Sequence, residues 1–170
     1  MESLADDSHP KESPRGGSSV VVAGLVLACA IVAAYWSTFS TPFLLDDTAS
    51  IVENESIRRL WPPGPILSPP AGAGVGGRPV ANLTLALNYA VHGLDVRGYH
   101  VVNLAIHIAA ALAVFGLTRR TLSLPRAGAT IPMSPTSATQ VACGAAAIWA
   151  LHPLQTESID AVITDPPYYD

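Results

Sequence analysis

From Ser19 to Phe39 the chain reads "SVVVAGLVLACAIVAAYWSTF", 21 residues without a charged side chain. A helix needs roughly 20 apolar residues to cross the hydrocarbon core of a bilayer. Lys11 and Arg15 precede the run, as basic residues precede the core of a secretory signal. That core is shorter, however, about 7–15 residues. The run therefore reads as a retained membrane helix, 19–39, with Tyr35 and Trp36 near one interface. Residues 1–18 are polar with Pro and Gly, and read as a disordered cytoplasmic tail.

The rest of the chain agrees with a lipid-facing protein. Only 13% of the residues are charged, against about 25% in an ordinary soluble domain. The net charge of −4 leaves no basic footprint for nucleic acid. Cys29 and Cys143 both lie in apolar runs and read as small hydrophobic fillers.

A second span is predicted over 99–118, from "YHVVNLAIHIAAALAVFGL". His100, Asn103 and His107 interrupt it at i, i+3 and i+7, so they share one helical face. Such a polar stripe belongs against a bundle interior or a wet cavity, and interhelical hydrogen bonding accounts for it without chemistry. A third span is predicted over 139–155, from "VACGAAAIWALHPL". Its strictly apolar part, Val141–Leu151, is short and reaches spanning length only with its flanks.

Between the first two spans lies a long loop, 40–98. Its middle, "PPGPILSPPAGAGVGGRP", is irregular because Pro and Gly dominate it. Apolar residues then return at Leu83, Leu87 and Val91, one helical stripe, which predicts a surface helix over about 80–95. That helix either lies on the membrane or packs on the spans. Arg119, Arg120 and Arg126 share the short loop 119–138, and the positive-inside rule makes that loop cytoplasmic. The long loop then faces outside. It contains two glycosylation triplets, "NES" at Asn54 and "NLT" at Asn82. The fold class expected is all-α membrane, with two to three transmembrane helices and a long external loop carrying a surface helix.

Asp46 and Asp47 follow the first span closely. Adjacent carboxylates at a membrane surface are costly unless solvated, paired or bound to a cation. One of them can act as general base toward an acceptor hydroxyl, or the pair can hold a divalent metal near a phosphate leaving group. The plainer alternative is a solvated turn with a helix cap, "DDTAS".

Three stretches together are specific: "FLLDDTASIVENESIRRL", "GRPVANLTLALNYAVHGLDVRGYHVVNLAIHIAAALAVFGL" and "AAAIWALHPLQTESI". They resemble the amino-terminal part of the multispanning GT-C-type glycosyltransferases that are fused to tetratricopeptide repeats and related to protein O-mannosyltransferases. The resemblance covers roughly residues 18–159. It implies an integral membrane protein of the plasma membrane or endoplasmic reticulum, and a polyprenyl-phosphate sugar donor. It implies a catalytic acidic residue in the first external loop, at Asp46 or Asp47. It also brings "HPxxTE" to the same face, here His152 and Glu157. Such enzymes have many more spans. The resemblance therefore implies an integral membrane fragment that is inactive alone, or a non-catalytic membrane subunit whose partners are lipid and other membrane helices.

The tail 156–170 carries a different signal. "VITDPPY" resembles the target-base loop of DNA amino-methyltransferases. In that family the loop binds an extruded base, which maps onto Asp165, Pro166, Pro167 and Tyr168. The reading brings S-adenosylmethionine and nucleic acid with it. Such a domain also needs a doubly wound sheet and a glycine-rich cofactor turn. The glycine cluster Ala71–Gly77 has no strand before it and no clear helix after it. A truncated or fused reading frame is the expectation that joins the two signals.

Overall fold

A computed structural model describes residues 15–43, 47–124 and 133–155. The described residues are helical, with irregular connections and no strand. Five α-helices follow in order: α1 (Arg15–Ala34), α2 (Gly64–Leu67), α3 (Pro79–His92), α4 (Val96–Ser123) and α5 (Pro135–Ala150). Short helical turns at Trp36–Ser40, Thr48–Val52 and Glu55–Ile57 shape the loop between α1 and α2.

The ends of these helices follow from local chemistry. Pro79 begins α3, where a missing N–H costs nothing, and Gly93 stops it at φ +62°, a value that L side chains rarely adopt. Two residues on, the Asp95 carboxylate accepts from the Arg97 N–H at 3.1 Å and caps α4. The Ser134 hydroxyl accepts from the Ser137 N–H at 3.1 Å, and Pro135 follows as the first residue of α5.

Helices α1, α4 and α5 form an up-down-up bundle. Its core is Leu27 and Ile31 of α1, Leu104, Ala111 and Phe115 of α4, and Ala142, Ala146 and Ala150 of α5, joined by Tyr35. Ala138, Ala142, Ala146 and Ala150 recur at i+4 and are all fully buried. Side chains this small let helix backbones approach closely, the usual device where lipid removes the hydrophobic drive for association. At one end of the bundle the Ala150 carbonyl accepts from the Tyr35 hydroxyl and from His107 Nε2, both at 2.9 Å. The His107 ring also stacks on Trp149 at 5.3 Å and meets Tyr35 edge-on at 5.5 Å. His107 is thus a helix-end lock, in keeping with hydrogen bonding between helices. At the opposite end Arg119 Nε donates to the Thr139 hydroxyl at 3.1 Å.

Two helices, Gly17–Ala34 and Val96–Ser123, are long and apolar enough to cross a membrane. Helix α1 begins at Arg15, earlier than the predicted 19, and regular α-helix ends at Ala34 rather than 39. Helix α4 also outruns the predicted 99–118; at roughly 42 Å it extends beyond a bilayer core of roughly 30 Å. Helix α5 begins at the Ser134–Pro135 start signal and stops at Ala150, where "LHPLQ" turns away, rather than running 139–155. Its 16 residues reach roughly 24 Å, short of that core.

The described part of the connection between α1 and α4, 41–43 and 47–95, folds as its own layer on the end of the bundle where α1 and α5 finish and α4 starts. Its core is Ile51, Ile57, Ile66, Val75, Leu85 and Ala86, closed from below by Tyr99 of α4. Helix α3 turns both apolar and polar residues inward, Leu85 and Ala86 among them. Its inward face includes Asn82 and Asn88, while Val80, Leu83, Leu87 and Val91 are exposed. The Leu83–Leu87–Val91 stripe therefore does not pack on the spans. The inward asparagines are tolerated because Asn82 spends its amide on Ser56 Oγ and the Ile66 carbonyl, each at 2.9 Å.

Candidate functional site

The site read from the sequence divides unevenly over the structure. Asp46 and Glu157 lie outside the described residues, as do Asp165, Pro166, Pro167 and Tyr168 of the methyltransferase reading. Asp47 and His152 are described, and both belong to the loop end of the bundle.

Asp47 is 0% exposed. It takes αR backbone angles immediately before the wide turn Thr48–Val52, and its side chain does not cap that turn. The solvated cap considered for "DDTAS" therefore does not describe Asp47. A carboxyl group removed from water is costly unless its surroundings compensate.

Three restraints fix the chain around it. Before Asp47, the Thr41 carbonyl is bonded by His100 Nε2 at 3.0 Å, and the Phe43 ring meets Tyr99 edge-on at 5.5 Å. After it, Ile51 is fully buried in the cluster that contains Tyr99. Beyond that, Arg58 Nη2 donates to the Ile51 and Val52 carbonyls at 3.2 and 2.6 Å and closes the end of the turn. The Arg58 guanidinium lies 4.4 Å from the centre of the Tyr89 ring on α3, a cation–π contact that orients it. Behind this loop the Asn54, Ser56 and Asn82 side chains form a closed hydrogen-bonded set.

His152 lies in the exposed turn after α5. Its carbonyl accepts from the Gln155 N–H at 2.9 Å, and Nδ1 accepts from the Leu154 N–H at 3.2 Å. Nδ1 is thus an acceptor, and the neutral ring carries its proton on Nε2. His152 and Asp47 occupy the same end of the molecule but opposite environments, one exposed and one buried. Between α1 and α4 at this end, a cleft of about 470 Å³ is lined by Phe39, Thr41, Leu94 and Arg97.

A divalent metal needs several hard ligands. Among the described residues no group of three or more His, Cys, Asp or Glu side chains comes together. The glycine cluster Ala71–Gly77 is followed by α3, the helix the sequence reading left unclear. Ala73 and Val75 are nonetheless buried in the loop core, and no strand among the described residues precedes the cluster. It is a packed loop rather than a strand-to-helix cofactor turn.

Sequence reasoning missed Thr41 and Arg58. Thr41 contributes a backbone carbonyl, which no residue type advertises. The first Arg of "IRRL" differs from its neighbour only in what it reaches.

Helices and site together define an all-α chain with two helices of membrane-spanning length and a folded loop that buries an aspartate at one bundle end. Comparison with known proteins adds the relatives. The chain is 30% identical over 137 residues to the Drosophila melanogaster protein O-mannosyl-transferase Tmtc1, covering 76% of this chain and 14% of that one. It is 25% identical over 185 residues to the fly protein O-mannosyl-transferase Tmtc3, covering 96% and 20%. The Caenorhabditis elegans protein O-mannosyl-transferase F38B6.6 is 28% identical over 161 residues, covering 90% and 21%. The chain thus spans about a fifth or less of the length of these relatives. No protein-family model and no solved structure matches it.

Proposed function

We propose that this chain carries the acidic-loop element of a membrane-embedded O-mannosyltransferase that uses a polyprenyl-phosphate sugar donor. The observation that carries the reading is Asp47, wholly buried in a folded loop at the end of two membrane-length helices. The similarity to protein O-mannosyl-transferases supports it. In the reaction, a bond forms between the acceptor hydroxyl oxygen and the sugar C1 while the bond from C1 to the phosphate oxygen breaks. The Asp47 carboxylate takes the hydroxyl proton, and the polyprenyl phosphate leaves with the bonding pair. The sequence resemblance gives Asp46 the alternative claim to that role and groups His152 and Glu157 with it.

Three helices enclose too little volume for a lipid-linked sugar. The reading therefore calls for further helices around them, in the same polypeptide or in a partner. It also places the protein in the plasma membrane or endoplasmic reticulum, with the exposed face of α3 against lipid.

The test is mannose transfer from polyprenyl-phosphate mannose to a Ser/Thr peptide, in membranes that contain the protein with its native partners. Asp47→Asn should lower the rate by about 100-fold or more, the scale of a lost general base. An unchanged rate in the folded variant removes Asp47 from the chemistry. Recovery of the chain in the soluble fraction without detergent removes the membrane reading.

A further inference from the structure

Beside Tyr99, whose hydroxyl donates to the Gly93 carbonyl, a second fully buried titratable group outside the proposed chemistry is His100, in the second turn of α4. It is 0% exposed. Its Nε2 reaches the Thr41 carbonyl at 3.0 Å across 59 residues of sequence, and its Nδ1 has no hydrogen-bond partner. Because Nε2 faces a carbonyl, it must carry the proton. Nδ1 is then a bare acceptor held out of water. A buried acceptor left unpaired is destabilising, and a phenylalanine or leucine here would pack without that penalty. The imidazole is explained by its one bond to Thr41.

That bond sits where it matters for Asp47. Thr41 and Phe43 precede Asp47 and rest on His100 and Tyr99 respectively. Ile51 follows Asp47 and packs in the same cluster as Tyr99. The flank before the aspartate therefore rests on two consecutive residues of α4, and the flank after it packs into the cluster that Tyr99 closes. Ser50, three residues after Asp47, also carries a buried hydroxyl with no partner.

We propose that His100 is a positioning residue. Its Nε2–H···O=C bond to Thr41 sets the approach of the loop that holds Asp47 buried. This role rests on the O-mannosyltransferase reading only for its purpose, since the tether itself is independent of activity.

The two ring nitrogens are separable by substitution. Glutamine reaches as far as Nε2 and keeps a donor there, whereas alanine keeps neither nitrogen. The test is amide hydrogen exchange by mass spectrometry on the full chain in lipid nanodiscs, following residues 47–53 against α1 and α5. In His100→Ala, exchange over 47–53 should rise about tenfold, the scale of one buried hydrogen bond, with α1 and α5 unchanged. In His100→Gln, protection over 47–53 should return to the wild-type level. Three results overturn the proposal: unchanged exchange in the alanine variant, a general rise across the bundle in that variant, or a glutamine variant as loose as alanine. Local loosening in the alanine variant, together with no mannose transfer by the wild type in membranes that contain its native partners, removes the O-mannosyltransferase reading and leaves the tether in place.

Discussion

The side-chain amide of Asn54 donates to the side-chain oxygen of Asn82 at 2.9 Å, and both residues are buried. These are the two asparagines of the loop's glycosylation triplets. Asn54 Nδ2 also donates to the Ser50 carbonyl, and Asn82 Nδ2 is spent on Ser56 Oγ and the Ile66 carbonyl. A glycan is attached through this same nitrogen, so modification and this packing exclude each other. Protein folded in a glycosylating host should show no mobility shift with peptide N-glycosidase. A glycan at either site on folded protein would contradict the arrangement. Asn82→Ala strands partners on both sides and should destabilise the loop layer by about 3 kcal/mol, read by thermal unfolding in detergent.

Gly98 lies at the corner where α3 passes over α4. A Cβ built there would meet the His92 ring at 2.5 Å and the His92 Cβ at 2.8 Å. Gly98→Ala should therefore lower stability by about 1–3 kcal/mol. His92→Ala should fail to rescue it, because the alanine Cβ remains in the way; His92→Gly should rescue it in part. Thermal midpoints of the three combinations decide the matter.

The alanine row of α5 sets the spacing of the bundle. Ala146 is 0% exposed and leaves no room for a branched side chain. Ala146→Leu should destabilise by about 1–3 kcal/mol through overpacking. At the exposed Ile148, two residues on and on the far side of the helix, Ile148→Leu should be close to neutral in the same assay.

Tyr35 and His107 serve one acceptor, the Ala150 carbonyl. Tyr35→Phe should cost about 1 kcal/mol, because His107 still satisfies that carbonyl. His107→Phe should likewise leave Tyr35 as donor. The double substitution should exceed the sum of the two, since only then is the helix-end carbonyl orphaned. A double-mutant cycle measures that excess, and strict additivity would show that the shared carbonyl does not couple them.

The outward face of α3 should distinguish lipid from water. Leu87→Glu should leave the protein's unfolding temperature in detergent nearly unchanged, because Leu87 is exposed. In bilayer nanodiscs the same variant should lower it, if hydrocarbon covers Leu83, Leu87 and Val91 as we propose. No effect in either medium would place that face in water.

Residue type and spacing alone determined a good deal of this protein. The charge-free run after Ser19 and the apolar run after Tyr99 specified two helices of spanning length, because hydrocarbon permits nothing but internally satisfied backbone. The stripe at Leu83, Leu87 and Val91 specified a helix, since apolar residues at that period have one common face. It did not specify which way that face turns. That depended on Asn82 finding Asn54, Ser56 and the Ile66 carbonyl inside, and these partners are scattered through a loop without regular periodicity. The aspartate pair was visible as a pair, but the burial of Asp47 was not, because burial is decided by how the whole loop layer folds and not by the residues beside it in sequence. His100 was visible only as one polar residue in a stripe of three. Its tether is to a backbone carbonyl 59 residues away, and only tertiary packing brings such a group within reach.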